Sequence, residues 1–235
     1  MITIKIAGLP IGIDNKYPRV ELMSKDYLTD EEPLFVVSVD EDDIKQEKIN
    51  TSTEYPISYY ESIIAYRKIS EKLPEYDAFL FHGSVIELNG QAYIITAHSG
   101  VGKTTHTRLW MSEFAGEAEV LNGDKPIIRI VDGVAYACGT PWQGKENYGK
   151  NMMCPVAGFA FLSRAEKNRA SVIDTADAVI RFMSQIYLPK KSKVMLAKTL
   201  TLADKVLKSA RLVHLECNME PEAAHVCRGA LVDEK

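Results

Sequence analysis

The chain has few cysteines, and its N-terminus does not resemble a secretion signal. The four cysteines, among 235 residues, form no Cys-x-x-Cys pair. The first residues lack a basic segment followed by an apolar core, so no secretory signal is predicted. Because disulfides persist mainly in oxidising compartments, we expect a cytoplasmic protein whose thiols are reduced.

A large excess of charge of one sign is also missing. The formal net charge is -4, which provides no field to recruit nucleic acid or anionic lipid. The one block of like charge, residues 40–43, is expected to be a solvated turn or the first turn of a helix. Hydrophobic residues make up 46% and charged residues 26%, which indicates a folded globular chain and argues against disorder, fibrous repeats and membrane spans.

The length of 235 residues favours one domain with a small N-terminal lobe, which we assign to residues 1–75. Residues 2–6 and 34–39 are predicted as strands of this lobe. The segment 56–73 is predicted as a helix that joins the lobe to the main body, because its apolar residues recur every three or four positions: Tyr59, Ile63, Tyr66 and Ile69.

The remaining residues, 76–235, are predicted to form the main body. Asn89-Gly90 joins predicted strands 79–88 and 91–97, and Asp132-Gly133 joins strands 126–131 and 134–138. Both pairs suit the positive φ angles of a tight hairpin turn. Further strands are predicted at 120–121, 156–162 and 212–216, with helices at 104–115, 176–187 and 193–210 and after Pro221. The expected fold class is α/β with a mixed, largely antiparallel sheet.

A loop suited to phosphate binding follows the first hairpin, with the sequence Ala97-His98-Ser99-Gly100-Val101-Gly102-Lys103-Thr104. Two glycines let the backbone turn sharply and approach an anion, so that N–H groups at a helix start hold its oxygens. Lys103 provides a charge for the β- and γ-phosphates, and the Thr104 hydroxyl is a candidate Mg²⁺ ligand. Ala97 replaces the first glycine of the usual pattern. We expect ATP or another nucleoside triphosphate on Ser99, Gly100, Val101, Gly102, Lys103, Thr104 and Thr105.

These motifs resemble the catalytic domain of HPr kinase/phosphorylase, whose fold is related to the phosphoenolpyruvate carboxykinases. Residues 82–90 and the loop carry the family's His-Gly entry, hairpin and Ser-Gly-x-Gly-Lys sequence in order, and the similarity continues through residues 120–124 and 128–129. The resemblance implies a carboxykinase-like nucleotide-binding fold for residues 76–235, a kinase activity with ATP and Mg²⁺, and assembly as a homo-oligomer.

The resemblance also assigns roles to single residues. Asp124 matches one member of an acidic pair that serves as base toward the attacking hydroxyl and as metal partner, while Gly123 replaces the other. His82 is expected beside the loop. Thr105 replaces the glutamate that often follows the loop, and the C-terminal segment typical of true HPr kinases is missing. HPr is therefore not expected as the substrate, and we expect a hydroxyl-bearing small molecule or a peptide.

The loop at residues 139–151 is too polar and rich in glycine to be a core element, so it is predicted to carry function. Lys145 is a candidate contact for the transferring phosphate, and Glu146 and Asn147 are candidates to hold the acceptor or a metal-bound water. Trp142 either stacks on a substrate ring or anchors a surface connection. Arg129 either reaches a phosphate or ends a strand in solvent.

Two functions follow from these residues. The first is an ATP-dependent, Mg²⁺-requiring kinase that phosphorylates a hydroxyl of a small molecule or of a peptide serine or threonine. The alternative is a nucleotide-binding sensor or accessory protein with little turnover, which the missing acid at Gly123 favours. Carboxykinase-like chemistry on an oxoacid ranks last, because no second-metal histidine and lysine set is evident.

Overall fold

The computed structural model describes residues 1–232. Its first part is a three-stranded sheet in the order β1-β2-β3, in which β2 is antiparallel to β1 and parallel to β3. The strands of this lobe are β1 (Ile2–Ile6), β2 (Leu9–Asp14) and β3 (Phe35–Ser38), and its helices are α1 (Pro18–Met23), α2 (Glu41–Asn50) and α3 (Ile57–Lys72). Short 3-10 helices occupy Lys25–Tyr27 and Leu73–Tyr76.

A nine-stranded sheet forms the main body. Its path is β4-β8-β9-β10-β6-β5-β7, with β12 beside β10 and β11 beside β12. Its strands are β4 (Ala78–Leu80), β5 (Ser84–Leu88), β6 (Gln91–Thr96), β7 (Ala118–Asn122), β8 (Ile127–Val131), β9 (Val134–Cys138), β10 (Met153–Arg164), β11 (Arg169–Val172) and β12 (Arg211–Cys217). The helices of this body are α4 (Lys103–Glu113), α5 (Thr175–Met183), α6 (Lys193–Ser209) and α7 (Glu222–Leu231).

Strand β10 holds the two halves of this sheet together. Its start pairs antiparallel with β9, and beyond a register shift between Val156 and Gly158 it runs parallel to both β6 and β12. The other strand pairs of the large sheet are antiparallel. The expected α/β class with a mixed, largely antiparallel sheet is therefore confirmed. Because β6 and β10 are parallel, the loop after β6 lies at the end of β10.

Helices cover both faces of the large sheet, because neighbouring residues of a strand point to opposite faces. In β6, Ile94 belongs to an apolar cluster with Phe182 of α5 and Leu202 of α6, whereas Ile95 belongs to a cluster with Trp110 of α4. A third apolar cluster fills the N-terminal lobe and extends to β4 and β8 of the main body. The division of the chain at residue 75 stays a prediction.

Both predicted hairpins are confirmed, since Asn89, Gly90, Asp132 and Gly133 have positive φ between paired strands. Helix α3 and the capped start of α2 also match the predictions. The single strand predicted at 79–88 is wrong. The segment is divided into β4 and β5. Between them, the N–H groups of Phe81 and His82 donate to the carbonyls of Pro126 and Gln185, which lie outside the strands. Strands β2 and β11 and helix α1 were not predicted.

Two expectations from the composition concern the state of the cysteines and helices that could span a membrane. All four cysteines are buried and none forms a disulfide within residues 1–232. In the same range, no helix combines the length and the apolar character that crossing a bilayer requires.

Candidate functional site

The loop at residues 97–104, called the glycine loop below, connects β6 to α4. Gly100 and Gly102 have φ angles of 80° and 134°, and a Cβ atom on either would meet nothing within 4 Å. Glycine is therefore favoured at both positions because φ is positive there, and not because a side chain would meet neighbouring atoms. Helix α4 begins without a side-chain cap, so its first N–H groups have no side-chain acceptor. The arrangement is suited to holding an anion.

Lys103 starts α4 and lies half-buried in the loop. Its Nζ donates to the carbonyl of Ala97 at 2.9 Å. Burial lowers the pKa of Lys103, although the nearby Asp124 carboxylate acts in the opposite direction. The start of α4 is fixed to β5, because Thr107 donates to the Lys103 carbonyl at 3.0 Å and its hydroxyl lies 2.7 Å from that of Ser84.

Arg164, at the end of β10, binds the glycine loop from outside. Its Nη2 donates to the carbonyl of Gly100 at 2.5 Å and its Nε donates to that of Val101 at 2.9 Å. Each peptide carbonyl points away from the N–H of the next residue. By holding these two carbonyls, Arg164 therefore fixes the orientation of the N–H groups of Val101 and Gly102.

The turn that carries Asp124 is shaped by Asn122, which is fully buried. Its Oδ1 accepts the N–H groups of Asp124 at 2.9 Å and Lys125 at 2.8 Å, and its Nδ2 donates to the carbonyl and hydroxyl oxygens of Thr140. This is an Asx-type turn. Asn122 satisfies the backbone of the turn, which leaves the carboxylate of Asp124 available for other contacts.

Asp124 contacts two basic side chains. Its Oδ1 lies 3.3 Å from Nε2 of His82, and its Oδ2 accepts from Nζ of Lys125 at 2.9 Å. Burial alone would raise the pKa of Asp124, but the hydrogen bond from His82 and the charge and hydrogen bond of Lys125 outweigh it and lower the pKa to about 2. Asp124 is therefore ionised at neutral pH.

The backbone of His82 is held by hydrogen bonds of both its N–H and its carbonyl. Its N–H donates to the carbonyl of Gln185, and its own carbonyl accepts the hydroxyl of Thr96 at 2.9 Å. At Gly83 a Cβ atom would lie 3.1 Å from the carbonyl oxygen of Ile95. A side chain at Gly83 would therefore displace the backbone of Ile95 or the backbone that positions His82.

The loop at residues 139–151, called the polar loop below, runs along β7. The N–H of Gly123 donates to the carbonyl of Tyr148, and the N–H of Lys150 donates to that of Leu121. A Cβ atom on Gly123 would lie only 2.6 Å from the carbonyl oxygen of Gln143. With the polar loop in this position, position 123 has no room for the aspartate that the resemblance implies.

These elements enclose a cleft of about 680 Å³, a size typical of small-molecule sites. The cleft brings together most of the residues predicted from the sequence: His82, Ser99, Gly100, Gly102, Lys103, Thr104, Thr105, Asp124, Trp142, Lys145, Glu146 and Asn147. Val101 is not among its lining residues, but its carbonyl is bound by Arg164. The opposite wall comes from the N-terminal lobe.

Three of the predicted substrate residues have other contacts. Glu146 lines the cleft and accepts from Nη2 of Arg108 at 2.9 Å. Arg129 is not among the residues that line the cleft, and its Nη1 donates to the carbonyl of Ala7 at 2.6 Å. Trp142 is 7% exposed, its Nε1 donates to the carbonyl of Ser62 at 2.9 Å, and its ring packs edge-on against Tyr66. Arg129, outside the cleft, therefore joins the lobe to the main sheet, which corrects that expectation. Of the two alternatives for Trp142, these contacts support the anchor of the polar loop.

One hydroxyl and one carboxylate of the cleft are candidate ligands for Mg²⁺ bound together with a nucleotide. Within residues 1–232 no group of three or more His, Cys, Asp or Glu side chains forms a metal cage. Thr104 and Asp124 both line the cleft. Mg²⁺ is commonly held by one or two protein oxygens together with phosphate oxygens, so these two residues fit Mg²⁺ bound with a nucleotide.

Sequence reasoning did not identify four residues of this region: Arg19, Asn122, Lys125 and Arg164. Asn122 had a local signal, since an Asn two residues before Asp124 has the spacing of an Asx turn. Lys125 is the direct neighbour of Asp124. Arg19 and Arg164 had no signal, because they come from α1 and β10, far from the loop in sequence.

Neither a protein-family model nor a curated protein sequence matches the chain. Among solved structures, one that is similar is the HPr(Ser) kinase/phosphatase from Coxiella burnetii. The identity is 8%, the TM-score is 0.36, and the match covers 64% of this chain and 94% of that chain. The two structures are therefore distantly similar, and this similarity does not establish membership of that protein's family.

Proposed function

We propose that the protein is an ATP-dependent kinase that transfers the γ-phosphate to a hydroxyl group of a small molecule or of a peptide serine or threonine. One observation carries the proposal: the glycine loop at the start of α4 and an ionised Asp124 beside His82 line the same cleft. Such a cleft contains both an anion site and a group that accepts a hydrogen bond from a hydroxyl.

The glycine loop and Lys103 would hold the nucleotide. The uncapped N–H groups at the start of α4 would donate to phosphate oxygens, and the Lys103 ammonium, which donates to the Ala97 carbonyl in this structure, would turn to the phosphates. Mg²⁺ bound with the nucleotide, with Thr104 and Asp124 as its protein ligands, would neutralise charge on the β- and γ-phosphates.

Asp124 would orient the acceptor hydroxyl and receive its proton. A carboxylate with a pKa of about 2 is a weak base. Phosphoryl transfer nevertheless passes through a loose transition state in which bond formation to the acceptor lags, so orientation matters more than base strength. His82 keeps the carboxylate in position through the contact to Oδ1.

The contact between Lys125 and Asp124 favours the alternative function, a nucleotide-binding sensor with little turnover. Lys125 occupies Oδ2 at 2.9 Å, and Gly123 supplies no second carboxylate. If Lys125 stays on Asp124 when nucleotide is bound, the carboxylate has only one oxygen for both a metal and an acceptor. Nucleotide would then bind without being consumed.

The experiment incubates the protein with Mg²⁺, ATP labelled in the γ-phosphate and a pool of hydroxyl-bearing metabolites and peptides. We expect a labelled acceptor with the wild type, no nucleotide binding with Lys103→Ala, and nucleotide binding without transfer with Asp124→Asn. Lys167→Ala, at an exposed position outside the cleft lining, is the control. Tight nucleotide binding with no labelled acceptor would favour the sensor, and full transfer by Asp124→Asn would exclude Asp124 as the proton acceptor.

A further inference from the structure

A second wall of the cleft, facing the glycine loop, is built by the N-terminal lobe. Tyr59, Ile63 and Tyr66 line the cleft from one face of α3, and Met23 lines it from α1. The spacing of four and three residues places the α3 side chains in a row along the helix. The apolar face predicted for this helix forms, in the structure, an apolar wall that a bound molecule can contact.

Arg19, from α1, is the charged group of this wall. Its guanidinium carbon lies 5.2 Å from the centre of the Tyr59 ring, and within residues 1–232 no carboxylate forms an ion pair with it. By contrast, Lys125 is paired with Asp124, and Lys103 belongs to the glycine loop. A guanidinium stacked on a ring keeps its N–H donors for a planar anion such as a carboxylate.

The segment that carries Arg19 is held in place by a buried carboxylate. Glu61 of α3 is fully buried and accepts the N–H groups of Lys16 at 2.6 Å and Tyr17 at 3.1 Å, directly before α1. Burial of a carboxylate is unfavourable unless hydrogen bonds compensate it. Glu61 thus fixes α1 against the same helix that forms the apolar wall, which gives Arg19 a defined position.

The charges of Arg19 and Asp124 both act on the hydroxyl of Tyr59. Burial is the main cause of the raised pKa of Tyr59. The charge of Asp124 raises it further, while that of Arg19 lowers it. Arg19, Tyr59 and Asp124 line the same cleft, so a small molecule against Tyr59 shares the cleft with a cation and with a carboxylate that can orient a hydroxyl.

We propose that the phosphoryl acceptor is a small hydroxy acid, such as a hydroxyl-bearing amino acid. Its carboxylate binds Arg19, its carbon skeleton lies against Tyr59 and Ile63, and its hydroxyl points to Asp124. The hydroxyl oxygen bonds to the γ-phosphorus as the bond between that phosphorus and the β–γ bridging oxygen breaks, ADP leaves, and Asp124 takes the hydroxyl proton. This inference rests on the proposed kinase function.

The test compares acceptors in pairs that differ in the carboxylate: glycerate with glycerol, serine with serinamide, and free serine with a peptide that carries an internal serine. Phosphate transfer from labelled ATP is measured with the wild type, Arg19→Met and the control Lys25→Met, which removes a positive charge of the same lobe outside the cleft lining. We expect the wild type to prefer the free acids. Arg19→Met should raise their KM about 10- to 100-fold, the effect of losing one hydrogen-bonded charge pair.

The control Lys25→Met should match the wild type in nucleotide binding and in transfer to every acceptor, since Lys25 lies outside the cleft lining. Efficient transfer to the carboxylate-free alcohols or to the internal peptide serine, or an equal effect of Arg19→Met on both members of a pair, overturns this inference and leaves the kinase proposal intact. Nucleotide binding without transfer to any of the compounds overturns both.

Discussion

The guanidinium of Arg164 donates to the carbonyl of Gly100 at 2.5 Å, and a second hydrogen bond reaches Val101 at 2.9 Å. The two residues are brought together by the parallel pairing of β6 and β10, whose ends lie side by side. The glycine loop therefore depends on a residue from another strand for its backbone orientation.

Arg164→Met should weaken nucleotide binding about 10-fold, because the loop loses two charge-assisted hydrogen bonds that orient its N–H groups. Arg164→Lys should restore part of the affinity, since an ammonium still reaches one carbonyl. Isothermal titration with ATP measures the dissociation constant. Arg169→Met is the control, because this exposed arginine pairs with Glu216 and not with the loop. Equal affinities of Arg164→Met and the wild type would contradict the positioning role.

The charge of Asp124 should make stability depend on pH in a narrow acidic range. Its pKa is lowered from 3.8 to about 2, so the folded state gains stability above pH of about 4 and loses this gain as the pH falls toward about 2. Asp124→Asn removes the titrating group. The difference in free energy of unfolding between wild type and variant should therefore be largest above pH of about 4 and shrink below it.

Denaturant unfolding at several pH values measures this difference. Asp30→Asn, at an exposed aspartate without an ion pair in the described chain, is the control for removing a surface carboxylate. A difference for Asp124→Asn that stays constant from neutral to acidic pH would mean that Lys125 and His82 do not stabilise the carboxylate.

Local signals predicted the parts of the fold that depend on neighbouring residues. The hairpins at Asn89-Gly90 and Asp132-Gly133 were predicted correctly, because positive φ at adjacent residues favours these residue types wherever they occur. The glycines of the glycine loop belong to the same class, since Gly100 and Gly102 adopt positive φ in open space. Such features require no knowledge of the rest of the chain.

Features that depend on distant segments were not predictable from these signals. The break between β4 and β5 arises because Phe81 and His82 bond to Pro126 and Gln185, which no property of the apolar run 79–88 reveals. The apolar face of α3 was predicted, but whether it meets the core or a cleft depends on where the lobe sits. The same holds for Arg129, whose partner Ala7 is 122 residues away.

Glu61→Ala should destabilise the N-terminal lobe, because the N–H groups of Lys16 and Tyr17 lose their acceptor. The expected loss in the free energy of unfolding is about 2–3 kcal/mol, the cost of unsatisfied polar groups. Glu61→Gln keeps one acceptor oxygen and should lose less. Denaturant unfolding measures the change, with the exposed Glu54→Gln as control. A loss for Glu61→Ala no greater than that of the control would show that the segment before α1 is held by other contacts.

The close contact of the polar loop with Gly123 predicts opposite effects of the same substitution at two glycines. Gly123→Ala puts a Cβ atom 2.6 Å from the carbonyl oxygen of Gln143, so the polar loop must move, and stability should fall by about 1–3 kcal/mol. Gly229→Ala, inside α7 with no atom within 4 Å of its Cβ, should instead raise stability by about 0.5–1 kcal/mol. Denaturant unfolding of both variants checks the signs. If Gly123→Ala is as stable as Gly229→Ala, the polar loop does not rest on position 123, and space does not explain the missing acid.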